Sequence, residues 1–200
     1  MDNKRVRCAR QCHRRGEIVG SQLRTTVTQL PNLPPNPVAL KIISGGQTGA
    51  DRAGLDVAIA RGIPHGGWCP KGRKAEDGPL PACYQLRETP SASYLVRTER
   101  NAAESTFTVI FTLGALSGGS KRTADFAKKH GRPYLHLQLL EGQENIAAHK
   151  LASLIQLRGT TSLNVAGSRE SKEPVIHARA SKVLNLTLDL LGFFHPDSSR

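Results

Sequence analysis

"KIISGGQTGADRAGL", residues 41–55, carries a short apolar run into Ser44-Gly45-Gly46-Gln47-Thr48-Gly49 and then into an alanine-rich segment. Ile42-Ile43 reads as the end of a strand (38–44), and "ADRAGLDVAIARG" (50–62) as a helix with Gly62 just past its end. A strand that turns through two glycines into a helix is the first half of a βαβ unit, and the rest of the chain repeats that alternation. Helical patterns cover 91–105, 120–131, 141–157 and 175–194. Strand-like runs fall at 107–113, 132–139 and 161–167, short and apolar on both faces. Such strands belong to a parallel sheet covered by helices, so the pattern predicts an α/β, doubly wound fold with helices on both faces.

Composition narrows the function classes. The net charge is +12, and residues 1–37 hold seven Lys/Arg against Asp2 and Glu17. "LPNLPPNP" (30–37) closes that stretch, which reads as a basic, Pro-rich tail ahead of a domain at 38–200. Its arginine bias fits either a disordered tail or a transit peptide. The basic excess suits a phosphorylated ligand. Aromatics make up only 4% and no nucleic-acid motif is visible, which argues against base stacking on single strands. No run reaches the roughly 18 apolar residues of a membrane span. The four cysteines form no disulfide framework in a chain of this length, and a cytoplasmic setting is the expectation. Cys8, Cys12 and His13 have metal-ligand residue types but lack a second ligand pair.

Ligands of such sheets bind beyond the carboxyl ends of the strands, which leaves four loops to read. In the first, Gly45-Gly46 lets a ligand approach the main chain, and the helix beyond offers free N–H groups to an anion. Its spacing matches neither the dinucleotide fingerprint nor the P-loop. Asp51 there is either a ligand contact or a first-turn acid. The second, "GGWCPKGRKAEDG" (66–78), sets the lone tryptophan, Trp68, beside Lys71, Arg73, Lys74, Glu76 and Asp77. It reads as a stacking wall with phosphate partners, or as a hydrophobic plug with a solvated rim. The third, "LGALSGGSKRTADFA" (113–127), runs Gly118-Gly119-Ser120 into a helix whose first turn holds Lys121 and Arg122. Cations there are disfavoured at a bare helix start, so either an anion sits among them or they point to water. The fourth, "NVAGSRESKEP" (164–174), contributes Ser168-Arg169. Three Gly-and-hydroxyl loops at one sheet end converge on a phosphate-bearing ligand.

"ISGGQTGADRAGLDVA", "GIPHGGWCPKGRKAEDGPLP", "LRETPSASYLVRTERNA", "LSGGSKRTADFA" and "LNVAGSRESKEP", in that order, resemble the molybdenum cofactor carrier family. That family is a circularly permuted branch of the lonely-guy-like SLOG superfamily, and the resemblance spans about residues 41–191. It implies a Rossmann-like homo-oligomer that stores the molybdenum cofactor, a pterin phosphate, and hands it to a recipient molybdoenzyme. It places Gly45, Gly46, Gln47, Thr48, Gly118, Gly119 and Ser120 at the anion. Lys71, Arg73 and Arg169 become charge partners and Trp68 a wall, so Lys71→Ala and Arg73→Ala are expected to weaken binding while sparing the fold. The superfamily's nucleoside 5′-monophosphate phosphoribohydrolases provide the alternative, a nucleotide-binding N-glycosidase. Their Gly-Gly-x-Gly-Thr-x-x-Glu run is broken here by Lys121 and Arg122, with Asp125 at the glutamate position. Asp51, Glu76 and Asp125 are the carboxylates left as catalytic candidates. A third reading, a sensing module acting through the tail, rests on residues 1–37 alone.

Overall fold

The computed structural model describes residues 39–193. Of the two units into which the chain divides, Met1–Pro35 lies outside those residues and Asn36–Arg200 contains them. The readings of the basic tail and of Cys8, Cys12 and His13 therefore lie outside the described residues.

The chain runs β1 (Lys41–Ile43), α1 (Ala50–Ala60), β2 (His65–Gly66), β3 (Trp68–Cys69), β4 (Lys74–Ala75), β5 (Gly78–Pro79), β6 (Arg87–Glu88), α2 (Tyr94–Glu104), β7 (Phe107–Thr112) and α3 (Gly118–Lys129). It continues through β8 (Tyr134–Gln138), α4 (Glu144–Leu157), β9 (Ser162–Gly167) and α5 (Ile176–Leu190). The main sheet has the order β2-β1-β9-β7-β8, every neighbour parallel. The last strand, β9, is thus inserted between β1 and β7. α1 and α4 pack on α5, while α2 packs on α3. The two groups cover opposite faces, and the fold is the expected doubly wound α/β sheet.

The faces differ in chemistry. Phe107, Val109, Phe111, Leu163 and Val165 join Val57, Leu151, Ile155, Val183 and Leu188 of α1, α4 and α5 in one apolar core. Side chains alternate along a strand, so Thr108, Ile110, Thr112, Asn164 and Ala166 turn to the other face, toward α2 and α3. There Asn164 Nδ2 donates to Thr108 Oγ1 at 3.3 Å. Strands apolar on both faces, as the sequence implied, hold for one face only; the half-polar face borders the cavity described below.

Residues 62–90 form more structure than their composition announced. β2 extends the main sheet, β3 pairs with β6, and β4 pairs with β5. These two-residue strands enclose a small second core of Leu55, Cys69, Ala75, Leu80, Tyr84 and Leu86. Gly62 ends α1 as expected, at φ 63°, with Ile63 N–H donating back to Ala58 O at 2.8 Å.

One charge cluster joins α1, α5 and this region. Asp56 accepts from Tyr84 Oη at 2.7 Å and lies 2.8 Å from His177 Nε2. The Asp56 bond raises the His177 pKa against a smaller opposing effect of burial. Burial opposes ionisation of Asp56, but the bonds from His177 and Tyr84 carry its pKa below the usual value. Burial and Asp56 together push the Tyr84 phenol up to about 12. Because the folded His177 pKa is raised, its stabilising share is complete below the ordinary histidine pKa and lost as pH rises through the folded value. The lowered Asp56 pKa adds a share that is lost as pH falls through the folded carboxylate value. Chemical denaturation should therefore show wild type losing stability relative to His177→Gln as pH rises from the ordinary histidine pKa through the raised folded value. The effect is modest, since both side chains are about a third exposed and solvent-screened.

Candidate functional site

A cavity of about 390 Å³ opens at the carboxyl ends of the strands, at the switch point of the sheet. The loop after β1 gives it Gly45 and Gln47, the loop after β7 gives Ser117 to Ser120, and the loop after β9 gives Ser168, Arg169 and Lys172. Asn164 and Ala166 of the half-polar face reach its floor. α2 closes it with Tyr94, Arg97, Thr98 and Asn101, which share one helix face by their three- and four-residue spacing.

The β7 side gathers the groups that suit an anion. Ser117 N–H donates to Ser120 Oγ at 3.2 Å, and that hydroxyl donates back to Ser117 O at 2.8 Å. The cap fixes the first turn of α3, and the N–H groups of Gly118 and Gly119 find no acceptor among the described residues. Lys172 Nζ would lie 3.6 Å from a Cβ on Gly118, so a cation stands beside the helix start. Arg97, Arg122, Arg169 and Lys172 line the cavity against one carboxylate, Asp51. Helix dipole and cations act in the same direction on a phosphate.

The β1 side is held by a buried ion pair. Arg97 Nη1 donates to Asp51 Oδ2 at 2.6 Å, with the residues 9% and 5% exposed. Gly45 makes room for it: a Cβ there would fall 1.3 Å from Arg97 Nη1. Gly46 has φ 73°, and a Cβ would press on Leu86 and Leu80. Gly49, at φ 81°, leaves space for Ser168 O, which would stand 2.4 Å from a Cβ. These glycines therefore serve packing and turn geometry as well as any ligand.

The structure brings Gly45, Gln47, Gly118, Gly119, Ser120, Arg169 and Asp51 to one cavity. Other sequence candidates lie elsewhere. Arg73 is a tie of the loop, not a phosphate partner: Nε donates to Leu80 O, Nη1 to Leu86 O, and Nη2 to Pro81 O and Tyr84 O. Its four carbonyls hold residues 80–86 in place, so Arg73→Ala should cost about 2–4 kcal/mol in thermal unfolding, contrary to the fold-neutral expectation. Lys71 is exposed and does not line the cavity. Trp68 is outside it too, with Arg87 at 4.1 Å and Arg100 at 4.5 Å from its ring centre and Nε1 donating to Glu104 at 2.8 Å. Two guanidinium groups lie over its ring, and it does not line the cavity. Asp125 pairs with Lys121 at 3.5 Å on the outer side of α3.

Thr48 and Glu76 stand at the rim. The Glu76 carboxylate accepts from Thr48 Oγ1 and from Ser171 Oγ, the latter at 2.8 Å, and lies 3.7 Å from Arg169. Burial alone would raise its pKa, but these bonds and the Arg169 charge hold it below the usual carboxylate range. It bridges the β1, β9 and 66–78 loops.

Sequence reading missed the contribution of α2. Tyr94 brings an aromatic ring to the cavity lining, with Arg169 at 5.1 Å and Lys74 and Arg97 each at 5.9 Å from its ring centre. Its signal was the spacing of Tyr94, Arg97, Thr98 and Asn101 down one helix face, a polar stripe pointing inward. Asn101 fixes the helix by accepting from Trp68 N at 2.8 Å and donating to Trp68 O at 3.0 Å.

Comparison with known proteins agrees with this architecture. The model of the circularly permutated YpsA SLOG family matches residues 42–188. A solved structure from Syntrophus aciditrophicus SB, described as a "Putative molybdenum carrier protein", is 45% identical with a TM-score of 0.74. The similarity covers 76% of this chain and 96% of that one. No curated protein matches the chain. Among the described residues no helix is long and apolar enough to cross a membrane. The chain therefore belongs to the circularly permuted YpsA SLOG family.

Proposed function

We propose that the protein binds the molybdenum cofactor through its pterin phosphate and holds it for transfer to a recipient molybdoenzyme in the cytoplasm, working as a homo-oligomer. The observation that carries this reading is the cavity that joins the free first turn of α3, four cations and the Tyr94 ring. The donor set fits such a cargo: cations for the phosphate, an aromatic for the flat ring, and polar side chains at the far end. Arg169, Arg122 and Lys172 compensate the phosphate, Gly118 and Gly119 donate main-chain N–H groups, and Tyr94 packs against the ring system. Burial pushes the Cys69 thiol up, and it sits in the small second core, so the cargo's metal end receives no thiolate from it. The bound cofactor supplies redox chemistry only after delivery; the carrier keeps water and oxygen from it.

The carrier reading is tested by protection. Cofactor released anaerobically from a molybdoenzyme, mixed with this protein and exposed to air, should retain its power to reconstitute apoenzyme far longer than free cofactor. Equal decay with and without the protein contradicts it.

The N-glycosidase reading draws on one observation, the Asp51 carboxylate in the cavity wall. That carboxylate is engaged by Arg97 at 2.6 Å, and Asp125 does not line the cavity. Steady release of base from nucleoside monophosphates, abolished in Asp51→Asn, would favour it over the carrier.

A further inference from the structure

The cavity has two ends. β1 and β7 flank β9, so the loops leaving them are separated by two strand spacings, about 10 Å. The β7 end holds the phosphate seat. The β1 end presents Gln47, Arg97 and Asp51, and its chemistry is of a different kind.

Gln47 is 3% exposed and lines the cavity. Its Oε1 accepts from Thr48 N–H at 3.1 Å and from Glu76 N–H at 2.9 Å. Two main-chain donors on one atom fix which end of the amide is the oxygen. Nε2 is then left buried, with no acceptor among the described residues. Arg97 Nε has no acceptor there either, Nη1 being engaged by Asp51. Buried donors without partners are rare and costly, and two of them at one end of one cavity call for acceptor atoms from a ligand. Asp51 gives Oδ2 to Arg97, while its other oxygen accepts nothing among the described residues. The end therefore offers donors beside one free acceptor.

We propose that this end reads the lactam edge, –CO–NH–, of a flat heterocycle, with Gln47 Nε2 donating to the carbonyl and Asp51 accepting from the ring N–H. The ligand class is a phosphorylated lactam heterocycle, which includes pterins and oxopurines and disfavours aminopurines. The assignment rests on the phosphate seat proposed above. Gln47 is the specificity residue: it faces an acceptor, and an amino group in that place would leave Nε2 unpaired and set two donors against each other.

The experiment compares two probes on the full chain by fluorescence titration. One is hydroxymethylpterin monophosphate, which carries the lactam; the other is the diaminopteridine monophosphate, in which an amino group replaces the carbonyl. Wild type should prefer the lactam probe by about tenfold or more. Gln47→Ala should bring the ratio near one, and Gln47→Glu should invert it, because an acceptor then faces the probe. The ratio is read on folded protein, so a loss of stability in either variant does not change its meaning. Equal binding of the probes by wild type, binding of neither, or a ratio unmoved by both substitutions overturns the proposal. Cofactor bound in cells by a protein that treats the probes alike removes this proposal and leaves the carrier reading. A lactam preference abolished in Gln47→Ala, with no cofactor recovered from cells, keeps the subsite and removes the carrier reading.

Discussion

Arg97→Ala should lower the unfolding free energy by about 3–5 kcal/mol, the cost of removing one partner of a buried ion pair. Asp51 is 5% exposed, and without the guanidinium at 2.6 Å its charge stays in the wall with nothing opposite. For a domain of this size that corresponds to a fall in Tm of roughly 6–20 °C. The double variant Arg97→Ala/Asp51→Ala should lose clearly less than the sum of its single variants, since it leaves no orphan charge. Urea unfolding of the four proteins measures the coupling. Additive losses would mean that the pair is neither desolvated nor coupled. Gly45 belongs to the same unit, because a Cβ there would displace Arg97 Nη1 from 1.3 Å away.

The second large effect is on binding. Arg122→Glu/Lys172→Glu should weaken affinity for a phosphorylated ligand by about a hundredfold or more, each charge-assisted contact being worth about 1.5 kcal/mol and reversal adding repulsion. Both side chains are exposed at the rim of the cavity, so Tm should stay close to wild type. Isothermal titration with hydroxymethylpterin monophosphate, alongside a melting curve, separates the two readouts. Unchanged affinity would move the phosphate away from α3. Lys71→Ala, outside the cavity, serves as the charge control and should change neither.

The fold was legible because periodicity survives in the long elements. Runs such as Phe107–Thr112 and Ser162–Gly167, alternating with helices, admit little besides a covered parallel sheet. The two-residue strands of 65–88 were not legible. They carry no apolar run, and their cohesion comes from tertiary ties, above all the Arg73 guanidinium among four carbonyls. The same ties explain why composition misdirected the site reading. Trp68 and Arg73 looked like ligand groups because an aromatic and a cation beside glycines fit phosphate chemistry. In the folded chain one ring is covered by arginines and the other group is consumed by main-chain oxygens. Gln47, Gly118, Gly119, Ser120 and Arg169 do line one cavity, because strand-end loops are constrained by the sheet to face one crevice. Tyr94 and Arg97 were missed because α2 follows no main-sheet strand. It reaches the crevice through the 62–90 insertion, a path that sequence order does not reveal.

The central claim is that this cavity holds a pterin phosphate, and its most direct measurement is the pterin content of the protein itself. The full chain would be purified anaerobically from cells that overproduce molybdenum cofactor, then denatured and oxidised, and pterin fluorescence quantified per chain. The account predicts a signal near one pterin per chain in wild type and in Lys71→Ala, and background in Arg122→Glu/Lys172→Glu. Background pterin in wild type, or an undiminished signal in the double variant, would contradict it.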